Sequence, residues 1–157
     1  MIQFPTWERF KGGFYSTYSI DDLTLFAKNI IGFFSHARVL LLTGSLGAGK
    51  TFFARHVLRL ATAIPDLRVL SPTFSIVNFY DTKDCGFAHI DCYRIRSLAE
   101  MIELGIEEMF AERICLIEWP DLVKPMLINM AIPSLCLEIT DDENSLHNRS
   151  YKLSKLF

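Results

Sequence analysis

The fold of this chain is decided by one stretch, residues 39–51, which reads VLLLTGSLGAGKT. The apolar run 39–43 is typical of a strand that is buried on both faces, as in a sheet covered by helices. Residues 44–51 then match the pattern GxxxxGK(S/T) at every fixed position. A helix is predicted from about Lys50 to Ala63, and Pro65 ends it. A strand, a glycine-rich turn and a helix in this order predict a phosphate-binding loop.

The residues of this loop predict that the chain binds a nucleoside triphosphate with Mg²⁺ and hydrolyses ATP. Glycines adopt backbone angles that other residues avoid, so successive N–H groups can point at phosphate oxygens. The helix presents further free N–H groups, Lys50 can reach the β- and γ-phosphates, and the Thr51 hydroxyl can bind the metal. The predicted nucleotide contacts in the loop are Ser45, Leu46, Gly47, Ala48, Gly49, Lys50, Thr51 and Phe52. The sequence has no NKxD guanine signature, which favours adenine as the base.

Two further apolar runs end in an acid, FAHID at Asp91 and ICLIE at Glu118. Phosphoryl transfer needs acids that hold Mg²⁺ or orient water, and in an open α/β sheet the ligand lies at the carboxyl ends of the strands. Both acids are therefore candidates beside Thr51. The alternative is that each carboxylate caps a turn or pairs with a base such as Arg94. The residues alone leave both interpretations open, and they do not decide which acid binds the metal directly.

Two smaller patterns have competing interpretations. Residues 71–74, SPTF, lie where NTPases commonly keep a hydroxyl-bearing segment that senses the γ-phosphate, but the residues alone favour an ordinary proline turn with a capping Ser. Cys85, His89 and Cys92 suggest a zinc site. Along a strand, however, residues 89 and 92 point to opposite faces, which disfavours zinc. His89 is expected to pack behind Asp91.

The rest of the chain predicts an α/β fold, a P-loop NTPase-like three-layer sandwich. Its central sheet is mixed and carries an antiparallel hairpin insertion, and residues 1–157 form a single P-loop ATPase domain. Ser19 is a plausible cap for a helix with Leu23, Phe26, Ala27 and Ile30 at helical spacing. The predicted strands besides those already named are 13–18, the hairpin pair 75–80 and 87–93, and the edge strands 135–139 and 151–153. Short helices are predicted around Gly105, and a surface turn over 141–148.

Charge and composition limit the classes of function. The formal net charge of -2 argues against strong unaided binding to DNA or RNA, which normally needs a basic surface. The N-terminal sequence is not typical of a signal peptide, and no apolar run approaches the roughly 18 residues of a membrane-spanning helix. We therefore expect a cytoplasmic protein with no membrane or DNA partner, and with its four cysteines reduced.

Five short motifs, taken together, resemble the TsaE family, the small P-loop ATPases of tRNA threonylcarbamoyladenosine synthesis. They are residues 44–51, similar to the family's GxLGAGKT loop; 71–74, SPTF; 89–94, HIDCYR; 103–106, ELGI; and 117–120, IEWP. The resemblance covers about residues 14–139. Each motif after the first is weak alone, but their order and spacing in so short a chain are highly specific.

The resemblance implies a role for each candidate residue and a set of partners. Lys50 and Thr51 would serve the phosphates and Mg²⁺, Thr73 would belong to the γ-phosphate switch, Asp91 and Glu118 would act around the metal and the attacking water, and Trp119 would shape the site. Family members act with TsaB and TsaD, which transfer a threonylcarbamoyl group onto the adenosine beside the anticodon. The resemblance therefore implies that tRNA is met only through that complex, and that the ATPase is weak without partners.

The chain departs from the family pattern at Ser45, where Asp is usual, at Phe52, where a second Thr is common, and at Cys92, where Leu is usual. Ser45 lies at an unconstrained loop position, so ATP binding should survive. Two other functions could use the same loop. A small-molecule kinase would transfer the γ-phosphate to a metabolite, although no cluster of arginines follows the loop's helix to form a lid. A non-hydrolysing nucleotide switch would differ from the ATPase only in rate.

Overall fold

The computed structural model describes residues 5–17, 19–141 and 149–156, and within them seven strands form one mixed sheet. The strands are β1 (Gly13–Thr17), β2 (Val39–Thr43), β3 (Val77–Asp81), β4 (Gly86–Asp91), β5 (Arg113–Glu118), β6 (Ser134–Asp141) and β7 (Arg149–Lys155). Their order across the sheet is β1-β7-β6-β2-β5-β4-β3. β2 pairs parallel with β5 and β6, β4 pairs parallel with β5, and the other pairs are antiparallel. The predicted mixed sheet is confirmed.

Helices cover both faces of this sheet and make a three-layer sandwich. They are α1 (Ile20–Gly32), α2 (Lys50–Thr62), α3 (Leu98–Glu103), α4 (Ile106–Glu112) and α5 (Lys124–Asn129). α1 and α2 pack on one face and α3, α4 and α5 on the other. Ser19 caps α1 as predicted, since its Oγ accepts a hydrogen bond from the backbone N–H of Asp22 at 3.1 Å. Within the described residues no helix is both long and apolar enough to cross a bilayer.

The central strand β2 fixes the position of the phosphate loop. Leu40 and Leu42 face the core beneath α1 and α2, whereas Val39 and Leu41 face the core on the other side of the sheet, and all four are fully buried. Burying one such side chain stabilises a fold by about 1.5–3 kcal/mol. Because β2 is held on both faces and along both edges, the loop that follows Thr43 begins from a rigid base.

The predicted hairpin is present, but its strands are shifted. The first begins at Val77 rather than residue 75, because Ile76 has a positive φ of 66° that no regular strand accommodates. The second ends at Asp91 rather than residue 93, because the Asp91 carboxylate accepts a hydrogen bond from the backbone N–H of Tyr93 at 2.9 Å and turns the chain.

The prediction of edge strands near the C-terminus is wrong. β6 lies between β2 and β7, and β7 lies between β6 and β1, so the edges of the sheet are β1 and β3. The strand β1 from the start of the chain covers β7, a long-range pairing with no local sequence signal. Sequence patterns also missed α5, which begins just before Pro125. Tyr18 and the predicted turn beyond residue 141 lie outside the described residues.

Candidate functional site

The loop between β2 and α2 has the backbone geometry that its glycines predicted. Gly44, Gly47 and Gly49 have φ values of 142°, 82° and 102°, in the range that residues with a side chain rarely adopt. A Cβ on Gly44 would also lie 2.4 Å from the carbonyl oxygen of Ile139 on β6, so this position is closed to any larger residue. The loop ends where α2 begins, at Lys50. The backbone N–H groups in the first turn of α2 have no partners within the helix, and they face the loop.

Lys50 lies inside this loop with its ammonium group held by the backbone. Its Nζ donates to the carbonyl oxygens of Gly44 at 2.8 Å and of Ser45 at 2.7 Å. The same atom lies 3.8 Å from the ring centroid of Trp119, a cation–π contact. Burial lowers the pKa of Lys50, and the nearby charges of Glu118 and Asp91 act in the opposite direction. Within the described residues, no carboxylate oxygen lies at ion-pairing distance from this ammonium.

The second helix residue, Thr51, is bonded to the acid at the end of β5. Thr51 Oγ1 lies 2.8 Å from Oε1 and 3.1 Å from Oε2 of Glu118. Parallel pairing of β2 with β5 places Glu118 opposite Leu42, two residues before the loop begins. Glu118 is also 2.8 Å from Nε2 of His89. The sequence places His89 behind Asp91, but its ring contacts the other acid. His89 lies opposite Leu116 on β5, two residues before Glu118, so the side chains of His89 and Glu118 share one face of the sheet.

Asp91, at the end of β4, is bonded to the segment 71–74 instead. Thr73 Oγ1 donates to Asp91 Oδ2 at 2.6 Å, and Ser71 Oγ lies 2.7 Å from Thr73 Oγ1. Because the single proton of Thr73 is given to Asp91, Ser71 is the donor in the second bond. The other oxygen of Asp91 accepts from the backbone of Tyr93. The segment is therefore tied to the site by a chain of hydroxyl groups, which an ordinary proline turn does not require.

The oxygen atoms in this arrangement suit Mg²⁺. Magnesium in nucleotide sites is bound through one or two carboxylates with substrate phosphates and water, rather than by a full protein cage. A hydroxyl and a carboxylate in contact at 2.8 Å, Thr51 and Glu118, provide such a partial set. Throughout the described chain, no group of three or more His, Cys, Asp or Glu side chains could hold a metal ion by itself. Cys92 packs in the core against Met101, so it does not share a site with His89.

Two cavities lie on either side of the loop. The smaller, of about 250 Å³, is lined by most of the predicted site residues, namely Leu46, Gly47, Gly49, Lys50, Thr51, Phe52, Thr73, Asp91, Glu118 and Trp119, together with Ser71. The larger, of about 520 Å³, lies toward α1 and β7 and includes Ala48. Gly47, Gly49 and Phe52 line both cavities, so the two are adjacent. Of the predicted contacts, Ser45 lines neither and meets Lys50 only through its carbonyl oxygen.

Sequence reasoning missed several residues of this site. The sequence placed His89 near the site but behind the other acid, and it included Ser71 only as part of the 71–74 segment; the hydrogen bonds through which these two residues reach the site have no sequence signal. The larger cavity is walled by Thr17, Ile20, Leu23 and Tyr151, which come from β1, α1 and β7 and meet only in the fold. Of the alternative roles for the acids, capping a turn applies to Asp91, which accepts from the backbone N–H of Tyr93. Within the described residues Arg94 forms no ion pair with either acid, and its guanidinium lies 5.3 Å from the ring of Phe74.

Comparisons with a family model and with known proteins point to the same family. A family model described as "Threonylcarbamoyl adenosine biosynthesis protein TsaE" matches residues 17–151. The chain is 35% identical over 130 residues to a protein from Rickettsia bellii named tRNA threonylcarbamoyladenosine biosynthesis protein TsaE, covering 83% of this chain and 89% of that one. Proteins of the same name from Aquifex aeolicus and Bacillus subtilis are 32% and 31% identical, over 85% and 83% of this chain and 92% and 80% of theirs.

A solved structure supports the fold. The crystal structure of YdiB from Bacillus subtilis superposes with a TM-score of 0.60 at 23% sequence identity, covering 94% of this chain and 87% of that one. At this level of identity the likeness concerns the fold alone. The predicted P-loop NTPase-like architecture is confirmed.

Proposed function

This chain belongs to the TsaE family of tRNA threonylcarbamoyladenosine biosynthesis proteins, and we propose that it serves that pathway as a Mg²⁺-dependent ATPase. The observation that carries the proposal is the environment of Lys50. Its ammonium is buried in a glycine-rich loop, is bonded to two carbonyl oxygens and is paired with no described carboxylate. A buried cation is costly unless a counter-charge is supplied. A triphosphate supplies that charge at a helix N-terminus built to receive it.

The phosphate loop, Glu118 and Trp119 have different proposed roles in binding the nucleotide and its Mg²⁺. The backbone N–H groups of residues 47–51 and the Lys50 ammonium bind the β- and γ-phosphates. Thr51 and Glu118 would hold Mg²⁺, which would neutralise charge that develops on the phosphate oxygens. The indole of Trp119 covers one side of the Lys50 ammonium and keeps it directed into the loop. These roles agree with the hydrogen bond that already joins Thr51 to Glu118.

Asp91 and Thr73 are proposed to act at the γ-phosphate. Both line the cavity that contains Lys50, and their side chains are 2.6 Å apart. Asp91 accepts a hydrogen bond from the attacking water and orients it, while Thr73 exchanges its bond to Asp91 for one to the γ-phosphate. Water adds to the γ-phosphorus, the bond to the leaving ADP oxygen breaks, and inorganic phosphate is released. Positioning rather than covalent chemistry is all that this reaction needs from the protein.

The larger cavity is the proposed seat of the adenine base. Its volume of about 520 Å³ lies within the usual range for small-ligand sites. Ile20, Leu23 and Tyr151 give it an apolar wall, the buried Thr17 also lines it, and the exposed Ser19 adds a hydroxyl group. Because Phe52 lines both cavities, a nucleotide with its phosphates on the loop extends past this residue into the larger space.

Partner binding is proposed on the side of the 71–74 segment. The side chain of Phe74 is 88% exposed and that of Leu46 is 81% exposed. Leu46 lines the phosphate cavity, and Phe74 follows Thr73, which also lines it. Exposed large apolar groups beside a site are typical of protein contacts. We assign this surface to the TsaB–TsaD complex, and tRNA is reached only through that complex. Since Phe74 follows Thr73 directly, the nucleotide state and the partner surface would be linked by one residue.

Phosphate release measured with ATP and Mg²⁺, with and without TsaB–TsaD and tRNA, tests the proposal. We expect slow release from the chain alone and faster release with its partners. A phosphorylated small-molecule product would show a kinase instead. Nucleotide binding without release under any of these conditions would show a switch that does not hydrolyse ATP.

A lysine variant tests the binding step on its own. Lys50→Ala removes an ionic hydrogen-bond donor worth about 1.5–3 kcal/mol, so ATP affinity measured by calorimetry should fall about 10- to 150-fold. Lys28→Ala, at an exposed position on α1, is the matched control and should bind like the wild type. Undiminished affinity in Lys50→Ala would remove Lys50 from the site.

A further inference from the structure

One buried polar side chain, His89, has no part in the roles assigned above. It is fully buried on β4, between the buried apolar residues Ala88 and Ile90. Its Nε2 lies 2.8 Å from Oε1 of Glu118. A carboxylate only accepts hydrogen bonds, so the proton of this bond is carried by Nε2. His89 therefore donates to the acid that we place at the metal.

Within the described residues, the bond from Nε2 to Glu118 is the only hydrogen bond of the His89 ring. Nδ1 is buried and has no hydrogen-bond partner in the described part of the chain. Histidines that merely fill a core normally have both nitrogens satisfied, because buried polar atoms rarely lack a partner. His89 satisfies only the atom that faces Glu118. An apolar side chain would fill the same space without leaving a bare nitrogen.

The two oxygens of Glu118 are consequently not equivalent. Oε1 accepts from His89 Nε2 and from Thr51 Oγ1, both at 2.8 Å, whereas Oε2 has only the longer contact of 3.1 Å to Thr51. With Oε1 occupied by two donors, Oε2 is the oxygen left with unused acceptor capacity. The carboxylate is also held in one orientation, because turning it would break the bond from His89.

We propose that His89 is the positioning residue of the magnesium site, holding Oε1 of Glu118 so that Oε2 is presented to the metal or to its water. The inference rests on the proposed function, since it presupposes that Mg²⁺ and nucleotide bind here. Magnesium demands nearly ideal octahedral geometry, and groups that hold a ligand from behind commonly change metal affinity 10- to 100-fold. His89 acts through Glu118 and touches neither nucleotide nor metal.

Calorimetry with the non-hydrolysable analogue AMP-PNP separates the metal from the nucleotide. Each variant is titrated in EDTA and then at increasing Mg²⁺ concentrations. In His89→Leu, the affinity in EDTA should stay within about threefold of the wild type, while the Mg²⁺ concentration for half-maximal tightening rises about 10- to 100-fold. In His89→Gln, an amide N–H can reach the place of Nε2, so most of the wild-type Mg²⁺ dependence should return.

A control at a second histidine tests whether the effect is specific to His89, and a second His89 variant is available if the first does not fold. His56→Leu makes the same chemical change on α2, where the ring nitrogen contacts Thr24 at 3.0 Å and not Glu118, so its Mg²⁺ dependence should be normal. Folding is checked by circular dichroism and urea unfolding. If His89→Leu does not fold, His89→Asn replaces it, because the Asn amide is too short to reach the position of Nε2.

The possible results distinguish this inference from the function on which it rests. A wild-type Mg²⁺ dependence in His89→Leu or His89→Asn would overturn the positioning role alone. Equal losses in His89→Leu and His89→Gln would also overturn it, since shape and not the hydrogen bond would then be responsible. A wild-type protein that binds no AMP-PNP with Mg²⁺, even with its partners present, would overturn the proposed function and this inference together.

Discussion

Asp91 and Glu118 lie opposite each other at the ends of two neighbouring parallel strands, β4 and β5, yet they hold different hydroxyl groups. Glu118 binds Thr51 of the phosphate loop, and Asp91 binds Thr73 of the 71–74 segment. Both carboxylates are almost fully buried, so neither is a solvated surface acid. Their difference comes from position. β5 is adjacent to β2, the strand that carries the loop, whereas β4 lies one strand further away.

The parallel register of β4 and β5 places the two acids side by side. The distance of each strand from β2 then decides whether its acid reaches the phosphate loop. Neighbouring strands are about 4.8 Å apart, so the acid on the adjacent strand reaches the loop's helix and the next acid does not. This geometry is the reason for the division proposed above, in which Glu118 would serve the metal and Asp91 with Thr73 would serve the attacking water and the γ-phosphate. Substitutions at these residues test whether the two acids have separate roles.

The largest effect is expected for Glu118→Gln. The change removes the negative charge while keeping the shape, so the metal loses a ligand that stabilises charge in the transition state. A loss of about 2.7 kcal/mol or more would slow ATP turnover at least about 100-fold. Nucleotide affinity measured in EDTA should change little. Wild-type turnover in Glu118→Gln would remove this acid from the site.

A smaller effect is expected for Asp91→Asn. The amide can still accept a hydrogen bond but no longer holds the water as strongly, and hydrogen bonds to charged groups are worth about 1.5–3 kcal/mol. Turnover should fall about 10- to 100-fold, with the same Mg²⁺ concentration dependence as the wild type. If Asp91→Asn instead needs more Mg²⁺, both acids serve the metal and the division between them is wrong.

Thr73→Val should slow turnover about tenfold, because it removes one hydroxyl from the γ-phosphate side while keeping the branched shape. Double variants test whether Thr73 acts together with Asp91 or with Glu118. Since Thr73 and Asp91 are in contact, their combined effect should differ from the sum of the single effects by about 0.5 kcal/mol or more. Thr73→Val combined with Glu118→Gln should be nearly additive. The reverse pattern of coupling would link the 71–74 segment to the metal acid.

The smallest effect is expected for Ser71→Ala, at the outer end of the hydroxyl chain. Ser71 donates to Thr73 from an exposed position, where a hydrogen bond contributes about 0.5–1 kcal/mol. Turnover should fall about two- to fivefold. Ser75→Ala is the matched control, because its hydroxyl contacts Asn78 and not Thr73. Equal effects of the two changes would mean that the segment is merely destabilised.

Local signals in the sequence were sufficient for much of this molecule. The apolar run 39–43, the glycines of the loop and the Ser19 cap each act within a few residues, and each is present as predicted. The order in which the strands pair was harder to predict from the sequence. Nothing near β7 indicates that β1 pairs along its outer edge, and the positive φ of Ile76, which delays the start of β3, has no signature in its neighbours.

The amino-acid sequence was enough to predict the loop of residues 44–51, its flanking strand and helix, and the two acids at strand ends, because glycine conformation, helix polarity and burial are properties of short segments. The tertiary structure alone decided which hydroxyl each acid holds, that His89 stands behind Glu118, and that β1, α1 and β7 enclose the larger cavity. Those facts depend on strand order and on distances of a few ångströms between residues far apart in the chain, and no local pattern encodes them.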